Sequence, residues 1–232
     1  MYRIKEVECI GLSVACIIRK EDWNENYKPQ NQNKEVINVL KQNNVNINAI
    51  YRVRQEHTNQ IKIIDSHHLT NSYKEENSIA DGIITQIQGL ALCISVADCV
   101  PIVLFDVVKK VLGLIHAGRE GTRKKIVQVA LNIFMEYFCS NPENIFCYIG
   151  PSIGPCCYYV SEELAKQCAK EGLVIKQERI IDLWQSNKIQ MIGSGIKEEK
   201  IKISNICTCC NNEYYSYRRG DKDLRNYVVA MI

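Results

Sequence analysis

The chain has 232 residues, 46% of them hydrophobic and 24% charged, with a formal net charge of only +3 from 29 basic against 26 acidic side chains. That balance suits one globular domain, residues 1–232, with a sizeable core, and the scattered charge, densest at Arg123-Lys124-Lys125, argues against a nucleic-acid partner. Nothing approaches the roughly 18 apolar residues of a membrane helix, and Met1 to Glu8 lacks the apolar run of a signal peptide, so a cytoplasmic protein with no membrane partner is expected.

The chain opens on a short apolar segment, Cys9 to Ile18, followed by a polar stretch, Arg19 to Lys34, that reads as a loop. Val36, Val39 and Leu40 then fall at helical spacing behind a start signal at Asn33. From Ile50 to Ile64 the pattern turns strand-like and puts His57 on or near a strand end. Ile79–Thr85, Leu90–Val96, Pro101–Val108 and Val111–Ile115 are short β-branched runs, separated by breaks, that read as buried strands. After Gly121 the period changes, and Ile126, Val129, Ala130, Ile133, Phe134 and Tyr137 form the stripe of an amphipathic helix. That helix follows His116 at once, so its first turn is a candidate anion site near Gly118 and Gly121. Ile145 to Ile149 predicts a strand ending in a Gly150–Pro155 turn, Ser161 caps a helix containing Leu164, Ala165 and Cys168, and Ile181-Asp182-Leu183 opens another. Ile201 to Ile206 is the last predicted strand. Strands mixed with helices, without regular βαβ alternation, give an α+β fold.

Twelve cysteines would suggest disulfides in a short secreted domain, but this chain is long and lacks a leader, so reduced thiols are expected. Cys9, Cys16, Cys93, Cys139, Cys147 and Cys168 are read as packing residues. Cys156-Cys157 are adjacent and Cys207, Cys209 and Cys210 form a C-x-C-C run, so neither set is read as a metal knuckle, and a second zinc between them is disfavoured. His67-His68 is a poor chelate, because adjacent side chains on a strand point oppositely.

The chemistry concentrates elsewhere. Ala97-Asp98-Cys99-Val100-Pro101 is followed, 17 residues after the cysteine, by His116-Ala117-Gly118, and His57 lies upstream in Gln55-Glu56-His57. One thiolate and two imidazoles are zinc ligands, and three protein ligands with an open position make a catalytic site. The same Cys99 with His116 also admits a nucleophile and its base. Asp98 is a candidate orienting carboxylate or a turn residue, and Asp81 shares that ambiguity. In Ser216-Tyr217-Arg218-Arg219, two guanidinium forks beside two hydroxyls suit a phosphate. The spacing of Gly150 and Gly154 allows either a close backbone approach to a ligand or a tight turn.

Six blocks, Gln55-Glu56-His57, Ala80 to Thr85, Ala97 to Pro101, His116-Ala117-Gly118 with Gly121-Thr122, Ile149 to Tyr158, and Cys207-Thr208-Cys209 with Ser216 to Arg219, stand in the order of the YfiH/YlmD/FAMIN family, also called laccase-domain or polyphenol-oxidase, which the chain resembles over roughly residues 50 to 220. The resemblance implies a single layered domain with a mixed sheet flanked by helices, like the cytotoxic necrotizing factor/YfiH cysteine-hydrolase fold, with the first 45 or so residues divergent. It implies zinc held by His57, Cys99 and His116, with Cys99, His116 and Asp98 catalytic and Ser216, Tyr217, Arg218 and Arg219 on substrate or phosphate. The implied activity is phosphorolysis of adenosine, inosine or S-methyl-5′-thioadenosine, with adenosine deamination as a further possibility, in a monomer or homodimer. Two alternatives from other classes stay open: a thiol amidohydrolase acting on a cell-wall precursor or another amide, and a non-enzymatic zinc-stabilised protein. With four histidines and no His-x-His, the chain cannot assemble a multicopper cluster alone. It departs from the family at His116-Ala117-Gly118-Arg119-Glu120-Gly121, where the family has Trp-Arg in place of Arg119-Glu120, and lacks the family's N-terminal Arg-x-Gly-Gly-x-Ser loop.

Overall fold

A computed structural model describes residues 1–5, 10–23, 32–45, 47, 49–65 and 73–232. The chain builds two six-stranded mixed sheets. The first runs in the order β1 (Tyr2–Arg3), β2 (Val14–Ile18), β14 (Asn226–Met231), β7 (Leu90–Val96), β3 (Ala49–Arg54) and β5 (Tyr73–Ile79). The second runs β13 (Ile201–Ile203), β10 (Ile145–Ile149), β8 (Val100–Asp106), β9 (Val111–Ala117), β6 (Gly82–Thr85) and β4 (Ile61–Ile64). Expectation pictured one mixed sheet; the α+β layering holds, with two such sheets at its centre.

The apolar pattern explains the stacking. Leu92 and Ile94 of β7, Val103 and Phe105 of β8, and Leu112 and Leu114 of β9 share one buried cluster, which is the seam between the sheets. The outer face of the first sheet, with Cys16, Ile18, Cys93 and Val229, is covered by Val36, Val39 and Leu40 of helix α1 (Gln32–Gln42). The outer face of the second, with Ile102, Leu104 and Ile115, is covered by Ile126, Ala130, Leu131 and Phe134 of α3 (Ile126–Glu136) and by Leu183 and Met191 of α5 (Leu183–Gly193). Strands apolar on both faces therefore lie inside an α/β/β/α stack. Among the described residues, no helix is long and apolar enough to cross a membrane.

Local chemistry sets the boundaries. Asp106 Oδ1 accepts the N–H groups of Val108 (2.8 Å) and Lys109 (2.9 Å), closing the β8–β9 hairpin two residues before the predicted strand end. The helix expected after Gly121 is broken in two: a five-residue α2 (Arg119–Arg123) and then α3, which Lys125 enters at a left-handed φ of 59°. Ser161 does cap α4 (Glu162–Lys170), accepting Leu164 N–H at 3.2 Å. Ile181-Asp182 ends the short strand β12 (Ile180–Asp182), paired with β11 (Val174–Lys176), before Asp182 caps α5. β14 went unpredicted although Tyr227-Val228-Val229 is a plain β-forming run, and it lies between β2 and β7.

Gly113 of β9 lies under Phe134, where a Cβ would come within 3.0 Å of the ring. Because Phe134 fills that space fully buried, Phe134→Ala is expected to lower the free energy of unfolding by about 3–5 kcal/mol with an unchanged denaturant slope; a loss under about 1 kcal/mol contradicts this packing.

Candidate functional site

Three times the chain passes from the first sheet to the second at one end of the stack, and each link carries a site residue. His57 lies between β3 and β4, Asp81 between β5 and β6, and Cys99 between β7 and β8; His116 sits near the end of β9. Backbone hydrogen bonds tie these links together, with Asp81 N–H donating to Gln60 O (2.9 Å) and His116 N–H to Asp81 O (2.7 Å). Gln55 adds a side-chain clamp, donating to Ser95 O at 2.9 Å and accepting Ser95 N–H at 2.8 Å.

His57 Nε2 is 3.7 Å from Cys99 Sγ, the rings of His57 and His116 are 5.0 Å apart, and one donor atom from each of the three residues falls within 4.8 Å of the others. Asp81, wholly buried, organises them. Its carboxylate accepts the backbone N–H groups of His57 (3.0 Å) and Thr58 (2.6 Å), the Thr58 hydroxyl (2.8 Å), and His116 Nδ1 (2.7 Å). With Nδ1–H committed to Asp81, His116 keeps Nε2 for the site. The orienting carboxylate is therefore Asp81, not Asp98. Gly118 makes room, since a Cβ there would meet Cys99 Sγ at 2.7 Å and His57 Cδ2 at 3.1 Å.

Electrostatics follow from this packing. Burial alone would raise Asp81, but the hydrogen bonds from His116 and Thr58 hold it at about 2. Burial likewise opposes ionisation of Cys99 and His116, yet each charge favours the other, so the thiol falls to about 6 and the imidazole rises to about 9. His57 is raised as well, chiefly by its hydrogen bond to Cys99.

Asp98 works on the other side of Cys99. Held at a left-handed φ of 80°, it accepts Thr208 Oγ1–H (2.7 Å), Ser216 Oγ–H (3.1 Å) and Arg218 N–H (2.7 Å), and its carbonyl accepts Ile153 N–H (2.9 Å). It anchors two loops around the thiol. These loops and the three donors line an open cleft of about 790 Å³, a size that suits a small-molecule ligand. The predicted substrate quartet divides: Tyr217 and Arg218 line the cleft, while buried Ser216 holds Asp98. Arg219 braces its own loop, donating to Thr208 O (2.8 Å), Tyr214 O and the Asp221 carboxylate (2.8 Å).

Tyr158, Tyr159 and Arg225 also line the cleft and were not read as ligand groups from sequence, although the Cys157-Tyr158-Tyr159 run was visible there; Arg119, noted there as a departure from the family, lines it too. Glu120 does not line it; Arg119 (3.3 Å) and Arg123 (2.9 Å) pair with its carboxylate. The negative charge at Glu120 is thus answered locally, and Arg119 presents a cation to the cleft. The expected anion site at a helix start is not built, because α2 is a short turn and the striped helix begins only at Ile126. Gly154 serves packing, with Trp184 2.8 Å from where its Cβ would be.

Of the cysteines read as packing residues, Cys16, Cys93, Cys147 and Cys168 are buried, whereas Cys139 is exposed in a turn at φ 52°. Cys9 and His67-His68 lie outside the described residues. Cys156, Cys157, Cys207 and Cys210 converge, and one donor atom from each falls within 4.8 Å of the others. Cys207 and Cys210, three apart, keep the C-x₂-C knuckle spacing that reading the run as C-x-C-C passed over.

The family model for multi-copper polyphenol oxidoreductase laccase matches residues 23–231. A purine nucleoside phosphorylase of Bacteroides thetaiotaomicron is 32% identical over 72% of this chain and 66% of its own length. The purine nucleoside phosphorylase YlmD of Bacillus subtilis is 31% identical over 71% of this chain and 64% of its own length. Both matches thus span slightly less than two thirds of the relative. The crystal structure of YlmD from Geobacillus stearothermophilus superposes with a TM-score of 0.82 at 22% identity, covering 94% of this chain and 91% of that one.

A depressed carboxylate stabilises the fold fully above its unfolded value near 3.8, and that stability is lost as pH falls toward its folded value of about 2. In metal-free protein, Asp81→Asn is therefore expected to cost roughly 2 kcal/mol in denaturant melts at pH 6, with the deficit shrinking between pH 4 and pH 2. A deficit independent of pH across that range contradicts the assignment.

Proposed function

The chain belongs to the multi-copper polyphenol oxidoreductase laccase family, and from that membership we propose that it is a zinc-dependent purine nucleoside phosphorylase and not a copper oxidase. The observation that carries this reading is a three-donor His57–Cys99–His116 centre in the same cleft as cationic and aromatic side chains. Four histidines cannot build a multicopper cluster in one chain, and no methionine, the usual weak axial ligand of a copper site with this donor set, lines the cleft. One thiolate and two imidazoles, with His116 held in a single tautomer by Asp81, fit zinc. When bound there, zinc supplies Lewis-acid polarisation of a substrate oxygen.

The side chains divide the remaining work. Arg218 commits Nη1 to the carbonyls of Cys157 (3.3 Å) and Tyr159 (2.8 Å) and lies over the Tyr158 ring, so Nε and Nη2 have no protein partner among the described residues. Those two donors suit a phosphate oxygen pair. Arg119, which donates to Glu120 through Nε, supplies a second cation. Tyr159 and Tyr217, both more than half exposed, offer faces against which a purine stacks. Held so, a phosphate oxygen attacks C1′ of the ribose as the glycosidic C–N bond breaks; the base leaves and takes up a proton, and ribose 1-phosphate forms. The protein's main contribution is alignment and neutralisation of the dianion. Adenosine, inosine and S-methyl-5′-thioadenosine all meet these requirements.

A second reading has one observation in its favour: Cys99 is a lowered-pKa thiol facing an imidazole, the pair that a thiol amidohydrolase needs. Metal content and phosphate-dependent release of hypoxanthine from inosine, followed on the same samples, separate the two. Cys99→Ser is expected to lose the cleft metal and at least about 100-fold in kcat/KM, and Arg218→Ala to raise KM for phosphate roughly 10-fold or more. Wild-type protein with no cleft metal, an alkylatable Cys99 and no phosphorolysis favours the hydrolase.

A further inference from the structure

We propose that Cys156, Cys157, Cys207 and Cys210 form a second metal centre, a four-thiolate zinc site that staples the turn after β10 to the loop after β13. Cys210 Sγ lies 3.5 Å from Cys156 Sγ and 3.2 Å from Cys157 Sγ. A disulfide would need about 2.05 Å, whereas four sulfurs about 2.3 Å from a tetrahedral zinc stand about 3.8 Å apart. The separations here lie nearer to a coordination shell than to a crosslink.

The backbone favours a thiolate at Cys207. Cys207 Sγ accepts the N–H of Gly154 at 3.2 Å. An amide turned onto sulfur favours the ionised form that a metal requires. On the facing turn, Cys157 and Tyr158 both donate to Gly154 O, at 3.0 and 3.2 Å, which brings the adjacent Cys156 and Cys157 to the same side of the cluster. A zinc with four thiolates carries a net charge of −2, and two cations stand beside it. Arg219 Nη1 donates to Thr208 O (2.8 Å) and Cys209 O (3.3 Å), and Arg218 Nη1 donates to Cys157 O (3.3 Å). The bracing role of Arg219, unaccounted for by the cleft, finds its reason here.

The centre is structural. None of its four sulfur residues lines the cleft, Cys207 is buried, and Cys156 and Cys210 are exposed, so an ion enters from solvent but a substrate has no open position. What it joins matters: one turn carries Ile153, Tyr158 and Tyr159 into the cleft wall, and the other loop carries Tyr217 and Arg218. The staple sets the distance between the stacking tyrosines and the phosphate-facing arginine.

The test starts from the Cys99→Ser protein, which lacks the first centre's thiolate, so failure of the nucleoside reading does not affect it. Loaded with Co²⁺, it is expected to hold one metal per chain, with the sulfur-to-cobalt charge-transfer and intense visible bands of tetrahedral thiolate coordination. Adding Cys210→Ser should abolish those bands, and adding Cys209→Ser should leave them. Should Cys210→Ser fail to fold, zinc protection from iodoacetamide, mapped residue by residue in the unmutated chain, replaces it: Cys156, Cys157, Cys207 and Cys210 should resist alkylation while Cys139 reacts. Cobalt-free Cys99→Ser protein, four alkylatable thiols in the presence of zinc, or a mass two hydrogens light from a disulfide among them would overturn the proposal.

Discussion

The arrangement of this end of the molecule depends on one carboxylate. Asp81 is buried between the two sheets and is kept ionised by hydrogen bonds from His57, Thr58 and His116. A buried charge of this kind is tolerated only when its lone pairs are filled, and the fillers here belong to the β3–β4 link and to the end of β9. Filling them turns the chain at His57 into the left-handed region, at φ 58°, which brings its imidazole to Cys99. The same carboxylate fixes the tautomer of His116. The geometry of the three donors follows from satisfying one ion.

Asp98 repeats the principle toward solvent. It fills its oxygens with Thr208, Ser216 and the Arg218 amide, so the loops that bear Tyr217 and Arg218 are hung from the residue next to Cys99. The inner carboxylate thus sets the His57–Cys99–His116 cluster and the outer one sets a wall of the cleft. Substitution of the family's Trp-Arg by Arg119-Glu120 leaves both anchors alone. It changes the lining of the cleft, where a guanidinium now stands, and the added carboxylate is absorbed by Arg119 and Arg123.

How far this could be read from the residues depends on the range of the interaction. The apolar runs at Leu90–Val96, Pro101–Val108 and Val111–Ile115 announced buried strands, and the stripe of Ile126 to Tyr137 announced the helix that covers them, because these signals are local periodicities. His57, Cys99 and His116 were legible as zinc-type donors in a family context. The roles of Asp81 and Asp98 were not separable, since each reads as a turn carboxylate and only pairing across the links decides which one meets His116. Ser216 and Arg219 looked like ligand groups for the same reason: their partners, Asp98 and the loop carbonyls, become neighbours only in three dimensions. The second sheet escaped notice because strand order is a long-range property, and a second zinc between the two cysteine sets was disfavoured because spacing within each set does not reveal that positions more than fifty residues apart in sequence converge.

The central claim is that Asp81 assembles a zinc centre from His57, Cys99 and His116. Anomalous diffraction at the zinc edge from crystals of the zinc-loaded protein tests it most directly. The account predicts a peak bonded to His57 Nε2, Cys99 Sγ and His116 Nε2, with His116 Nδ1 still on Asp81 and a further position open to the cleft. Absence of density there, with His116 turned away from Asp81 or Cys99 bonded to another group, would contradict it.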